Sequence, residues 1–192
     1  MPSPRPPMTR ASERRWLLAF DTGLATGGAA LIDILTGQVH EVILLTTEKS
    51  DKKRSVSASS DTMSRSRDYV RQVRRFVGER RICAIAHESL SLPRNSRAAA
   101  LIGISLGVIS CITEMLDAPL IEASPQEVKL KVAGKKSASK DEVITAVIER
   151  QPDLEAKFDC EARGKWEHMA DSVAVGYTAL EHDFIKTIRK TP

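Results

Sequence analysis

Near the C-terminus the chain reads EHMADSVAVGYTALEHD (167–183), a mostly small and apolar stretch carrying His168 and Asp171 three residues apart. In a helix that spacing puts both side chains on one face. Two further acids close strongly apolar runs: Asp21 follows RWLLAF, and Glu88 follows ICAIAH. An unpaired carboxylate buried at the end of a strand is costly, whereas strand ends are where ligands tend to bind. Carboxylates that would repel one another are stabilised together by divalent cations. Oxygen donors suit Mg²⁺ or Mn²⁺, which leave positions for water and phosphate. Two such ions about 4 Å apart can activate water and stabilise the leaving oxygen of a phosphodiester. The chemistry that fits Asp21, Glu88, His168 and Asp171 together is hydrolysis of a nucleic-acid backbone.

Each residue alone has a plainer reading. An isolated Asp-x-Gly starts many ordinary turns, a strand often ends on a charge, and a polar residue on an apolar helix is commonly satisfied by a neighbour. The convergence of four carries the site. Gly23, Gly27 and Gly28, which follow Asp21, let backbone or a phosphate approach closely.

The elements that must position these residues follow from hydrophobic period and turn chemistry. Residues 15–23, 27–35 and 40–47 read as three buried strands, the last two joined by the turn residues TGQ at 36–38. Residues 48–62, rich in Lys, Ser and Asp, read as a mobile loop. Tyr69, Val70, Val73, Phe76 and Val77 then recur at helical spacing with arginines opposite, giving a helix over 64–81. A strand at 82–90, an apolar helix at 96–116 and a strand at 118–124 come next. Ser124 with Glu127, and Ser139 with Glu142, are capping-box signatures opening two more helices, with Pro125 suited to a first helical position. The acidic 152–167 segment reads as a loop before the last helix. The expected class is α/β: a five-stranded mixed sheet, three antiparallel strands then two parallel ones, flanked by helices. The chain divides into a disordered tail over 1–14 and one domain over 15–188.

The chain has 192 residues and a net charge of +4. Residues 49–81 hold eleven basic residues against four acidic ones, Arg71 and Arg74 among them. The run at 129–140 holds five lysines (Lys129, Lys131, Lys135, Lys136, Lys140) and no acid. Either run alone could be a solvated face; two of them point to phosphate-backbone contact. Aromatic residues make up 4%, which disfavours binding of single strands mainly by stacking. Three scattered cysteines without a CxxC pair argue against disulfides and a zinc site, and fit a reducing cytoplasm. The first residues lack the apolar core of a signal peptide, and no apolar run approaches the length of a membrane span. The expectation is a cytoplasmic protein without a membrane partner.

Taken in order, AFDTGLATGGAALID, AIAHESL, NSRAAALIGISLGVI, PLIEASPQEVKLKVAGKKSASKDEV and HMADSVAVGYTAL resemble the RuvC-type Holliday junction resolvases, of the RNase H-like (retroviral integrase) superfamily. The resemblance covers most of 16–181. It implies an RNase H-like fold and a homodimeric endodeoxyribonuclease that cuts four-way DNA junctions by paired nicks, leaving 5′-phosphate and 3′-hydroxyl ends, with two Mg²⁺ or Mn²⁺ ions per site. It assigns Asp21, Glu88 and Asp171 to the family's catalytic acids. His168 stands where many members have aspartate and some have histidine. Lys129 and Lys140 match basic positions that engage the scissile strand, and LPRNSR (92–97), with Arg94, Asn95 and Arg97, matches the loop that reaches into the junction. Ser91 departs from the aromatic residue many members carry three positions after the glutamate, which bears on junction selectivity rather than on the hydrolysis.

Two rivals belong to other classes. The Asp-x-Gly turn also occurs in the phosphate loop of actin-like ATPases, but that fold needs a second such domain and loop. A junction-binding module without catalysis would not need metal-binding residues at all four positions.

Overall fold

In the computed structural model, which describes residues 15–50, 57–89 and 95–190, the central strand β1 (Trp16–Asp21) is buried on both faces. Its run WLLAF is apolar throughout because alternate side chains enter two different cores. Leu17 and Ala19 join one cluster; Trp16, Leu18 and Phe20 join the other. β1 pairs antiparallel with β2 (Thr26–Asp33), and β2 antiparallel with β3 (Val39–Thr46). On its other side β1 runs parallel to β4 (Ile82–Glu88), and β4 parallel to β5 (Leu120–Ala123). The order β3-β2-β1-β4-β5 is the five-stranded mixed sheet expected from the sequence.

Helices α1 (Ala58–Val77) and α2 (Ser96–Leu116) pack over the face bearing Leu18 and Phe20. The opposite face carries α3 (Pro125–Ala133), α4 (Lys140–Arg150), the short α5 (Leu154–Phe158), α6 (Trp166–Ala179) and α7 (Asp183–Lys190). α6 lies directly on β1 and β2 because two glycines remove the side chains that would hold it off. A Cβ at Gly28 would lie 2.0 Å from the His168 carbonyl oxygen, and one at Gly176 would lie 2.2 Å from Ile32 Cδ1. Ser139 and Glu142 form the full reciprocal capping box at the start of α4. At α3 the Ser124 hydroxyl accepts from the Glu127 amide, while the Glu127 carboxylate turns to Lys131, 3.5 Å away.

Several expectations need correction. α1 begins at Ala58, inside the segment read as a loop, because the Ser57 hydroxyl caps it by accepting from the Ser60 amide. It ends before Gly78, whose φ of 59° a helix cannot continue. Arg65 lies inward rather than on the arginine face: it is 6% exposed and donates from Nε to Thr47 Oγ1, whose hydroxyl in turn donates to the Leu24 carbonyl. The acidic 152–167 segment contains α5 and a 3₁₀ turn over Arg163–Lys165. The Ala98–Leu116 stretch of α2, 19 residues with mean hydropathy 1.9, is long and apolar enough to cross a membrane by length and composition, contrary to the sequence reading. Only 22% of its window is buried within the chain. The 1–14 tail, residues 51–56 of the loop, and Ser91 and Arg94 lie outside the described residues.

Candidate active site

Asp21 is the last residue of β1, and in the β1–β2 register it faces Gly28. That glycine admits the backbone of His168, in the first turn of α6, so the imidazole arrives beside the strand end. His168 Nδ1 and Asp21 Oδ2 are 2.7 Å apart. On the other side of β1 the parallel register pairs Phe20 with His87, so the next step along each strand brings Asp21 and Glu88 side by side. Asp171, one turn beyond His168, completes the group. The structure therefore brings together all four residues singled out from the sequence.

Burial along α6 marks the opening. From Trp166 to Leu180 every residue is buried except Glu167, His168 and Asp171. A helix packed on nearly every side breaks to solvent only where it carries ionisable groups.

The electrostatics show carboxylates in one another's field. Burial, then the charges of Asp21 and Glu88, push the Asp171 carboxyl up to about 7. Burial and Asp21 raise Glu88, with Lys129 opposing. The hydrogen bond to Asp21 raises His168 against the effect of its burial. Such a group favours protons in the absence of another cation, and a divalent ion would relieve the same repulsion. The donor set of carboxylate oxygens and one imidazole suits Mg²⁺ or Mn²⁺ in kind. Among the described residues no three such side chains already stand close enough together to hold an ion.

The basic candidates divide by place. Lys129 bears on Glu88, and Lys140 on Asp171 and Asp21, so these two flank the acids. Lys131 pairs with Glu127 and Lys135 with Glu142, each within its own neighbourhood on α3 and α4, and Lys136 is exposed. Arg71 and Arg74 are exposed on α1, across the sheet from α6. Asn95 Oδ1 accepts from the Ala98 amide at 3.1 Å, at the start of α2. Arg94 and the side chain of Arg97 lie outside the described residues.

Two contributors carried weaker signals in the sequence. Gly28 was legible as a place of close approach, and the group that approaches is the backbone of α6. Glu167 was not singled out. Its carboxylate lies 2.5 Å from Lys140 Nζ, a pairing across two helices that adjacency to His168 alone does not announce.

No family model matches the chain. Two proteins named crossover junction endodeoxyribonuclease RuvC do. That of Synechococcus sp. is 28% identical over 167 residues, covering 85% of this chain and 96% of the relative. That of Moorella thermoacetica is 27% identical over 159 residues, covering 83% and 87%. The solved structure of Thermus thermophilus RuvC in complex with Holliday junction substrate superposes with a TM-score of 0.69 at 20% identity, covering 90% of this chain and 96% of that one. The likeness to RuvC-type proteins therefore holds in sequence over most of the chain, and the fold is RNase H-like.

Proposed function

We infer that this chain is a RuvC-type endodeoxyribonuclease that resolves four-way (Holliday) DNA junctions by paired nicks, leaving 5′-phosphate and 3′-hydroxyl ends. The observation that carries the reading is the single break in the burial of α6, where His168 and Asp171 open onto the strand-end acids Asp21 and Glu88. The relatives' names supply the substrate class.

Asp21, Glu88, His168 and Asp171 are the residues that would hold divalent cations, Mg²⁺ or Mn²⁺, two per site. Bound there, the ions supply Lewis acidity toward the phosphate and lower the pKa of water. The chain's own groups prepare the rest. Asp21 anchors Nδ1 of His168, which fixes the ring against the strand end. Burial and the charge of Asp21 hold both Asp171 and Glu88 above the usual carboxylate range, a penalty that a bound divalent cation would offset. Lys129 and Lys140 stand on either side of the acids, where a scissile phosphate would gain charge in the transition state.

The exposed apolar side of α2 supports a homodimer. Apolar or small residues reach solvent around much of this helix: Leu101 and Met115 are 36% and 46% exposed, and among the described residues nothing lies within 4 Å of a Cβ placed at Gly103 or Gly107. A second copy on this face would relate two active sites by a two-fold axis, as a two-fold junction requires. The protein is read as cytoplasmic.

The test is a cleavage panel of four-way junction, flap, fork and linear duplex in Mg²⁺ and in Mn²⁺, with wild type and Asp21→Asn. Symmetric nicks confined to the four-way junction, abolished by Asp21→Asn with binding retained, are the expected result. Equal cutting of flaps and forks would make it a broader branched-DNA nuclease. Binding without cleavage in either metal would leave a catalytically idle module. Metal-dependent nicking by the Asn variant would overturn the site.

A further inference from the structure

Glu167 is one of three residues at which α6 opens to solvent, and the acids and histidine of the proposed site do not include it. Its two carboxylate oxygens face two different partners. Oε2 lies 2.5 Å from Lys140 Nζ, at the start of α4, and Oε1 lies 3.7 Å from His168 Nε2. The opposite ring nitrogen of that histidine, Nδ1, is the one 2.7 Å from Asp21 Oδ2. The four side chains thus lie in a row, Lys140–Glu167–His168–Asp21, from the basic flank of the site to its central acid, with close contacts at its two ends and a looser ionic contact between Glu167 and His168. The Glu167 side chain is 26% exposed and that of Lys140 68%. The carboxylate is therefore held by the helix while the lysine reaches out over it.

We propose that Glu167 is a positioning residue: one oxygen holds Lys140 over the acid cluster, and the other faces the outer nitrogen of His168 so that Nδ1 is presented to Asp21. Imidazoles that bind metals commonly donate their second N–H to a carboxylate, which fixes tautomer and ring orientation; loss of that partner typically costs 10–100-fold in metal affinity. Lys140 has a flexible four-carbon stem and a compact charge. An anchoring carboxylate limits where that charge can go before a phosphate arrives. Glu167 touches neither phosphate nor reacting water in this role; it acts through its two neighbours.

The proposal rests on the nuclease reading, and its test separates the two. Mn²⁺ binding to the DNA-free full chain is followed by the electron paramagnetic resonance of free Mn²⁺, in wild type, Glu167→Ala and Glu167→Gln. Melting temperatures confirm that each variant is folded. Glu167→Ala weakens Mn²⁺ binding about 10-fold. Glu167→Gln, which keeps an oxygen for His168 but no charge for Lys140, stays within about 3-fold of wild type in Mn²⁺ affinity yet lowers kcat on junction DNA. In a Lys140→Ala background the same Gln substitution has no further effect on kcat, since the lysine it would release is gone. Unchanged Mn²⁺ affinity in Glu167→Ala, or an equal loss of kcat from Glu167→Gln with and without Lys140, would overturn the role of Glu167 alone. Wild type that binds no Mn²⁺ would overturn this proposal and the nuclease reading together.

Discussion

Replacing Asp171 by asparagine should stabilise the metal-free protein while abolishing its cleavage of DNA. Burial and the charges of Asp21 and Glu88 raise the Asp171 carboxyl from 3.8 to about 7. The native state therefore holds this proton more tightly than the unfolded chain does. Below pH 3.8 both states are protonated and no penalty exists. Between pH 3.8 and about 7 the unfolded chain ionises first, so stability falls as pH rises, and above about 7 the full penalty is present. At about 1.4 kcal/mol per pKa unit, the penalty is about 4 kcal/mol. Asp21 and Glu88 continue to repel each other in the variant, so a gain of about 2–4 kcal/mol is expected at pH 8. For a chain of this size that corresponds to about 5–10 °C in melting temperature. The assay is thermal unfolding of wild type and Asp171→Asn in EDTA at pH 5 and pH 8. At pH 5 the gain should be less than half as large, because that pH lies well below the midpoint between the unfolded value of 3.8 and the folded value of about 7. Added Mn²⁺ should then raise the melting temperature of wild type more than that of the variant, since only wild type recovers its ligand. A variant that melts at or below wild type in EDTA at pH 8 would refute the idea that these acids are held in mutual repulsion.

The remaining predictions concern the approach, the histidine and the apolar helix. Gly28→Ala forces the His168 backbone off the strand, so stability should fall by about 2 kcal/mol and junction cleavage by about 100-fold, read by chemical denaturation and single-turnover kinetics. In His168→Asp the proposed ligand with a raised pKa is replaced by an acid; the acid limb of the pH–rate profile should move to lower pH and any preference for Mn²⁺ over Mg²⁺ should shrink. An unchanged profile and metal preference would remove His168 from the metal site. Leu101→Glu with Met115→Glu places charge on the open side of α2, and sedimentation should then find monomers where wild type is dimeric.

The sheet and the outline of the site were legible because both rest on local chemistry. β1 shows itself by an apolar run that ends on Asp21 and then on glycine, and β4 does the same with Glu88. His168 and Asp171 share a face by helical spacing alone. The start of α4 was equally plain, since Ser139 and Glu142 satisfy each other's backbone groups within one turn. Where local signals compete, the reading failed. The serine-rich stretch before α1 looks like a loop, yet one serine hydroxyl at Ser57 suffices to start the helix there. Arg65 looks like a surface charge until Thr47, at the end of another strand, supplies its partner.

What the sequence by itself determined is which residues could serve as donors and on which elements they stand, because residue type and period are properties of neighbours along the chain. Only the tertiary structure decided how those elements meet. The packing of α6 on Gly28 sets the 2.7 Å contact between His168 and Asp21, and the parallel register of β1 and β4 brings Glu88 beside Asp21. The elevated pKa of Asp171 and the bridge from Glu167 to Lys140 likewise arise from charges far apart in sequence. Coulomb and desolvation energies depend on distances through space, and those exist only once the chain has folded.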